Sequence, residues 1–62
     1  MDDEYLLVHV LDEGVLGVAV ERPYGADVSY MTEDFRYHVQ LETDEYLVLG
    51  IISEIDARFF LD

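Results

Sequence analysis

The sequence contains no cysteine, so neither disulfide bonds nor thiolate metal sites can hold its fold together. It has two histidines, so a structural zinc site would also need carboxylate ligands. A chain of 62 residues has a marginal core, because it buries only about 60% of the surface that its unfolded form exposes. Small domains without disulfides or metals are often stabilised by a partner subunit. The sequence therefore favours a homodimer and a monomer equally.

Long hydrophobic runs are also missing. No apolar stretch approaches the roughly 20 residues of a membrane-spanning helix. The first four residues, Met-Asp-Asp-Glu, carry the wrong charge for a secretory or mitochondrial leader. Apolar residues nevertheless make up 52% of the chain, which is too many for a disordered acidic tail. We predict a single folded domain over residues 1–62, located in the cytoplasm and not bound to membranes.

Lysine is absent, and basic charge is scarce as a result. Three arginines stand against fifteen aspartates and glutamates, which gives a formal net charge of -12. Such a surface repels nucleic acid and anionic membranes. It favours basic protein partners, divalent cations or a very salty solvent. Direct binding of nucleic acid is therefore not expected.

Two apolar segments near the start of the chain predict a β-hairpin. Residues 5–11 and 15–21 are rich in β-branched and large apolar side chains. The connection between them, Asp12-Glu13-Gly14, ends in glycine, which suits a hairpin whose last loop residue is left-handed.

The single proline interrupts this pattern. Pro23 cannot donate a ladder hydrogen bond, and Gly25 two residues later favours a turn. Residues 26–34 are then predicted either as an edge strand or as one helical turn.

The clearest strand is predicted at residues 35–42, where apolar and polar side chains alternate. Phe35, Tyr37, Val39 and Leu41 share one face, which we expect to be buried. Residues 46–52 follow as a strand with apolar side chains on both faces, which is typical of a central strand.

The last segment leaves two alternatives open. Ser53 and Asp56 resemble a helix capping box, which would start a helix over residues 54–61. We favour a fifth strand there instead, because few residues remain. The predicted fold class is all-β, with α+β as the alternative. The expected architecture is a small antiparallel meander or small barrel of four to five strands, with at most one short helix in residues 26–34 or 54–61.

No pattern of catalytic or metal-binding residues emerges. Ser29, Ser53 and the two histidines supply the side chains of a hydrolase triad, but no nucleophile motif surrounds either serine. The spacing of a calcium-binding loop is also absent. We predict a protein that is not an enzyme and has no cofactor and no dedicated metal site.

The acidic residues fall mainly in the predicted turns. With strands at 5–11, 15–21, 35–42 and 46–52, the first and third connections lie at the same end of a meander. That end would carry Asp12, Glu13, Glu42, Asp44 and Glu45, joined by Asp62 if the last segment is a strand. The opposite end would carry Asp2, Asp3, Glu4, Asp27, Glu33, Asp34, Glu54 and Asp56. Tyr24 and Tyr30 are expected either to be exposed beside acids in a protein-binding patch or to belong to a loop folded over the core.

These patterns favour a non-enzymatic acidic protein that binds and blocks the basic, nucleic-acid-binding surface of a partner protein. Duplex DNA carries one negative charge per ~1.7 Å of axis, and carboxylates on a β-scaffold can imitate part of that array. Phage-borne inhibitors of nucleases, repair enzymes and CRISPR complexes act in this way as a class, and a phage protein would work in the host cytoplasm. The predicted partner-binding residues are Asp12, Glu13, Tyr24, Tyr30, Glu33, Asp34, Glu42, Asp44 and Glu45.

Two alternative functions remain. The first is a small structural domain or subunit of a halophilic organism, in which the acids hold water and cations. The second is an antitoxin-like regulatory subunit that binds a basic toxin.

Overall fold

A computed structural model describes residues 4–61, which form five β-strands followed by one α-helix. All strand pairs are antiparallel, and the strand order in the sheet is β4-β3-β2-β1-β5. The predicted antiparallel meander with one short helix is thus confirmed, with β5 returning to pair with β1. The elements are β1 (Tyr5–Val10), β2 (Val15–Arg22), β3 (Gly25–Met31), β4 (Arg36–Leu41), β5 (Tyr46–Ile52) and α1 (Glu54–Leu61).

The first hairpin forms as predicted, with one shift of boundary. Gly14 is left-handed at φ 67°, and its backbone N–H donates to the Val10 carbonyl at 2.8 Å. Leu11 lies outside β1, so the connection has four residues rather than three.

Strand β3 is the first correction, because it lies between β2 and β4 and is not an edge strand. Ala26 and Val28 on this strand are almost completely buried. Its sequence, GADVSYM, has little intrinsic preference for a strand. Its two neighbouring strands and its place in the core outweigh that weak preference.

Strand β5 is the second correction, since it forms an edge of the sheet rather than its centre. Only β1 pairs with it, and the register shifts at Leu49, which is left without a partner in β1. Apolar side chains on both faces of a strand therefore do not require two neighbouring strands.

The third correction concerns residues 54–61, which form a helix and not the favoured fifth strand. The Ser53 hydroxyl accepts a hydrogen bond from the Asp56 N–H at 3.2 Å, as in an N-terminal cap. Glu54 and Asp56 lie in the first turn, where the helix dipole favours negative charge. The helix packs against β2 and β3, with Ala57 fully buried. Within residues 4–61, no helix has the length and apolar character needed to cross a membrane.

One face of the sheet carries the main core. Residues opposite each other on paired strands share a face, as in the row formed by Val8, Gly17, Tyr30 and Tyr37. The buried members of this core are Leu6, Val8, Val10, Ala19, Ala26, Val28, Tyr30 and Tyr46.

The alternation in residues 35–42 does produce a strand, β4, but its core face is only partly buried. Val39 and Leu41 pack against the core. Tyr37 is 39% exposed, and Phe35, which precedes the strand, is 64% exposed. The expected burial of Phe35 is wrong, because this residue lies in the turn beyond the last pair of the β3–β4 ladder.

Residues 42–45 force the sheet to curve. They join Leu41, which is opposite Ala26 on β3, to Tyr46, which is opposite Val10 at the far end of β1. In a flat sheet these points would be roughly 28 Å apart, from about 19 Å across the strands and about 20 Å along them. The backbone from Leu41 to Tyr46 reaches at most about 18 Å. The sheet must therefore coil strongly, as in a small barrel.

Gly25 lies at the β2–β3 turn, one residue beyond the Ala26–Leu41 pair, where the backbones of β3 and β4 approach closely. Its φ is 147°, and a Cβ built on it would lie 2.1 Å from the Leu41 carbonyl oxygen. We predict that Gly25→Ala lowers the free energy of unfolding by at least about 2 kcal/mol, because both strain and a clash with the backbone arise. Urea denaturation followed by circular dichroism measures this.

Gly50→Ala is the matched control, because a Cβ at Gly50 meets no atom within 4 Å. Its free energy of unfolding should equal that of the wild type or exceed it slightly. Equal losses in the two variants would show that the contact between Gly25 and Leu41 does not constrain the fold.

Candidate functional site

Two acidic connections lie side by side at one end of the sheet. The Leu11 N–H donates to the Glu45 carbonyl at 3.2 Å, which joins the β1–β2 connection to the β4–β5 connection. Asp12 and Glu13 therefore lie near Asp44 and Glu45, as the sequence predicted. The physical reason differs from the one expected, because β5 is brought there by its pairing with β1.

The β3–β4 connection reaches the same end and overturns part of the predicted charge map. Glu33 and Asp34 were expected at the opposite end, but the additional strand β3 reverses their position. The turn is closed by the Thr32 N–H, which donates to the Phe35 carbonyl at 2.8 Å. We call Asp12, Glu13, Glu33, Asp34, Asp44 and Glu45 the acidic end.

Glu42 organises the β4–β5 connection from its other side. Its N–H donates to the Glu45 carboxylate at 2.8 Å, and the Glu45 N–H donates back to the Glu42 carbonyl at 2.9 Å. A Cβ on Gly25 would lie 3.0 Å from the Glu42 Cα, so Glu42 is beside the β2–β3 turn and outside the acidic end.

Three aromatic rings lead from the core to the acidic end. Tyr30 is only 8% exposed, so its predicted role as an exposed anchor is wrong. Its ring stacks on Tyr37 with 5.2 Å between centroids, and Phe35 meets Tyr37 edge-on at 6.3 Å. Burial raises the pKa of Tyr30, and the negative charge of Glu13 raises this pKa further. Phe35 is an exposed aromatic at the acidic end that the sequence did not predict, since the alternation of residues 35–42 placed it in the core.

Tyr24 is exposed, as predicted, but lies at the β2–β3 turn and away from the acidic end. Its hydroxyl donates a hydrogen bond to one Asp27 oxygen, and the Arg22 Nε donates to the other at 2.9 Å. The hydrogen bond from Tyr24, followed by that from Arg22, lowers the pKa of Asp27. The same contact with Asp27 raises the pKa of Tyr24.

Few acids in the described part of the chain are neutralised. Over residues 4–61 there are two ion pairs, Arg22 with Asp27 and Arg58 with Glu54. Both are largely exposed, so each contributes little to stability. Asp2 and Asp3, which were expected at the opposite end, lie outside the described residues. Asp62, which was expected beside Asp12 if the last segment were a strand, also lies outside them. Neither of these two ion pairs within residues 4–61 involves a carboxylate of the acidic end.

A Ser–His pair is the one other polar feature of note. Ser29 Oγ and His38 Nδ1 lie 2.8 Å apart in a shallow pocket of about 270 Å³ between β3 and β4. Within residues 4–61, no carboxylate hydrogen-bonds to His38, so the orienting third group of a triad is missing from this pair. The same residues include no group of three His, Asp or Glu side chains that could hold a metal ion.

Comparison with known proteins found no matching family model, no matching curated protein and no matching solved structure.

We predict that the pKa of Asp27 lies below the ordinary value of about 3.9 for aspartate. The folded state then prefers the ionised carboxyl, so this interaction stabilises the fold above about pH 4 and is lost as the pH falls through the lowered pKa. NMR titration of the Asp27 side-chain carboxyl gives this pKa directly.

Tyr24→Phe should raise the Asp27 pKa more than Arg22→Gln does, because the hydroxyl hydrogen bond has the larger effect. A larger shift in Arg22→Gln would assign the lowered pKa to the ion pair instead.

We also predict that the melting temperature rises with salt. Unpaired like charges at the acidic end repel one another, and the screening length falls from about 30 Å at 0.01 M to 3 Å at 1 M. A relief of about 1 kcal/mol would raise the melting temperature by about 4–8 °C. Thermal denaturation across this range of NaCl tests it, and a flat curve would contradict the expected repulsion.

Asp12→Lys/Asp44→Lys should flatten this salt dependence. Glu4→Lys/Asp56→Lys has the same net charge of -8, from -12 + 4, and should flatten it less.

Proposed function

We propose that this protein is a non-enzymatic inhibitor that uses its acidic end to block the basic, nucleic-acid-binding surface of a partner protein. The observation that carries the proposal is the contact between Leu11 and Glu45, which gathers separate acidic connections on one surface. The proposed surface keeps the predicted residues Asp12, Glu13, Glu33, Asp34, Asp44 and Glu45. Tyr24, Tyr30 and Glu42 are left out because of their positions.

Electrostatics support this choice of partner. The carboxylates belong to turns that connect strands of one sheet, so their negative charge is gathered on one surface, as the charge of phosphates is along a duplex. A complementary basic surface would be drawn to them from a distance, which raises the association rate. Nucleic acid would be repelled by the same charges.

Phe35 supports binding beyond simple charge attraction. Interfaces draw most of their affinity from a few aromatic or arginine anchors surrounded by polar residues. Phe35 is exposed, contacts the Tyr37 ring edge-on, and lies directly after Glu33 and Asp34. It therefore fits the anchor of an interface whose rim is acidic.

The test starts from proteins of a host lysate captured on the immobilised chain and identified by mass spectrometry. Each candidate is then purified, and its association rate with the wild-type chain is measured with and without excess duplex DNA. We expect duplex to compete, because both ligands use one basic surface. A complex that binds the chain and duplex together would contradict the proposal.

Charge-reversal variants locate the surface. Asp12→Lys/Asp44→Lys changes one acid in each of two adjoining connections and should slow association at least tenfold. Glu4→Lys/Asp56→Lys has the same net charge but lies away from the acidic end, and should associate at close to the wild-type rate. Equal effects of the two variants would mean that net charge, rather than this surface, governs binding.

Phe35→Ala separates the anchor from the charges. Truncating an aromatic anchor should increase the dissociation rate, with an expected loss of about 2 kcal/mol of binding free energy. Its association rate should change little. An unchanged dissociation rate would exclude Phe35 from the interface.

A structural domain of a halophilic organism is the second candidate function. It is favoured by exposed acids away from the acidic end, Glu4, Glu21 and Asp56, which a local binding surface does not explain. This candidate requires a chain that stays unfolded until NaCl approaches about 1 M, where the screening length is only about 3 Å. Folding in dilute buffer would exclude this candidate.

A further inference from the structure

The edge strand β5 exposes an apolar surface that a stable monomer would normally cover. Leu49 is 51% exposed and Ile51 is 69% exposed, and Leu47 and Val48 are similarly open. Beyond the side chains, the edge leaves backbone N–H and C=O groups unpaired on the side away from β1.

The opposite edge of the sheet shows how such an edge is usually protected. Strand β4 carries the exposed polar side chains of Arg36, His38 and Gln40. Strand β5 has no charged residue and no proline, and its one protective device is the irregularity at Leu49. Residues 46–53 also form the longest stretch of the chain without Asp, Glu or Arg.

We propose that a second copy of this chain covers β5, by antiparallel pairing of the two β5 strands across a two-fold axis. Antiparallel pairing of a strand with its own copy gives an interface in which the same patch faces itself. Apolar residues of one strand then meet apolar residues of the other. The flanking acids, Glu45 and Glu54, remain outside the uncharged stretch.

Charge indicates which surface two copies would use. Each chain carries a net charge of -12 with three arginines, so two copies cannot offset their repulsion by ion pairs between them. They approach at least cost where no charge is present, which is β5. A basic partner would instead be attracted to the acidic end, so β5 is not the surface that suits it.

The available area agrees with a reversible dimer. The four exposed side chains of β5 lie on both faces of the strand and together present on the order of 400 Å². A standard interface buries about 800 Å² per partner. The exposed strand backbone and neighbouring side chains must supply the rest. Because the apolar side chains supply only about half of that area, we expect a dimer that dissociates on dilution.

Sedimentation equilibrium of the full chain at 0.15 M and 1 M NaCl tests the proposal. We expect a monomer–dimer equilibrium that tightens at 1 M NaCl, where repulsion between the two chains is screened. A chain that remains monomeric at millimolar concentration in 1 M NaCl would overturn it.

A matched pair of variants tests the surface. Leu49→Asp places a charge on β5, whereas Leu16→Asp places one on β2 at a residue that is 49% exposed. Both variants have a net charge of -13, from -12 - 1. Leu49→Asp should increase the dissociation constant of the dimer at least tenfold. Leu16→Asp should change this constant only by the small effect of one added negative charge. Equal weakening would show that β5 is not the contact surface.

Amide hydrogen exchange of the wild-type chain keeps the test independent of how the variants fold. Exchange in residues 47–51 should slow as protein concentration increases, because outward N–H groups of β5 become bonded in the dimer. Exchange in β4 should stay constant. Slowing in β4 with none in β5 would place the contact at the other edge and overturn the proposal.

Discussion

The four residues between β4 and β5 are the constraint on which the rest of this structure depends. They join opposite edges and opposite ends of the sheet, and so short a connection is possible only if the sheet coils. The connection leaves β4 where its end is paired with the start of β3, and Gly25 is required there because the two backbones approach closely. It also carries Glu45 to Leu11, so the loop that shapes the fold is the loop that gathers the acidic end.

Sequence patterns predicted what depends on neighbouring residues and missed what depends on distant ones. The alternation before Glu42 and the glycine of the first turn are local, and they correctly predicted the strand β4 and the first hairpin. Strand β3 lacks a local pattern, because its burial comes from β2 and β4 rather than from its own composition. The Ser53 cap was visible in the sequence, but the short length of the segment was given more weight than the cap.

The acidic end shows the same division between local and distant information. Turns with carboxylates are easy to recognise, but their grouping depends on the number of strands between them. One unrecognised strand moved Glu33 and Asp34 to the opposite end of the sheet. Phe35 was missed for a related reason. A strand pattern fixes the direction of a side chain, and it does not tell whether a neighbouring strand extends far enough to cover it.

The pairing of β1 with β5 also orders the assembly of the chain. Three hairpins, β1–β2, β2–β3 and β3–β4, close loops of a few residues, and such local contacts form quickly. The β1–β5 ladder instead joins residues about forty positions apart, so closing it costs more chain entropy. That cost is smaller once the other four strands have formed a coiled meander. We therefore expect the rate-limiting step of folding to be the docking of β5, with the hairpins largely formed before it.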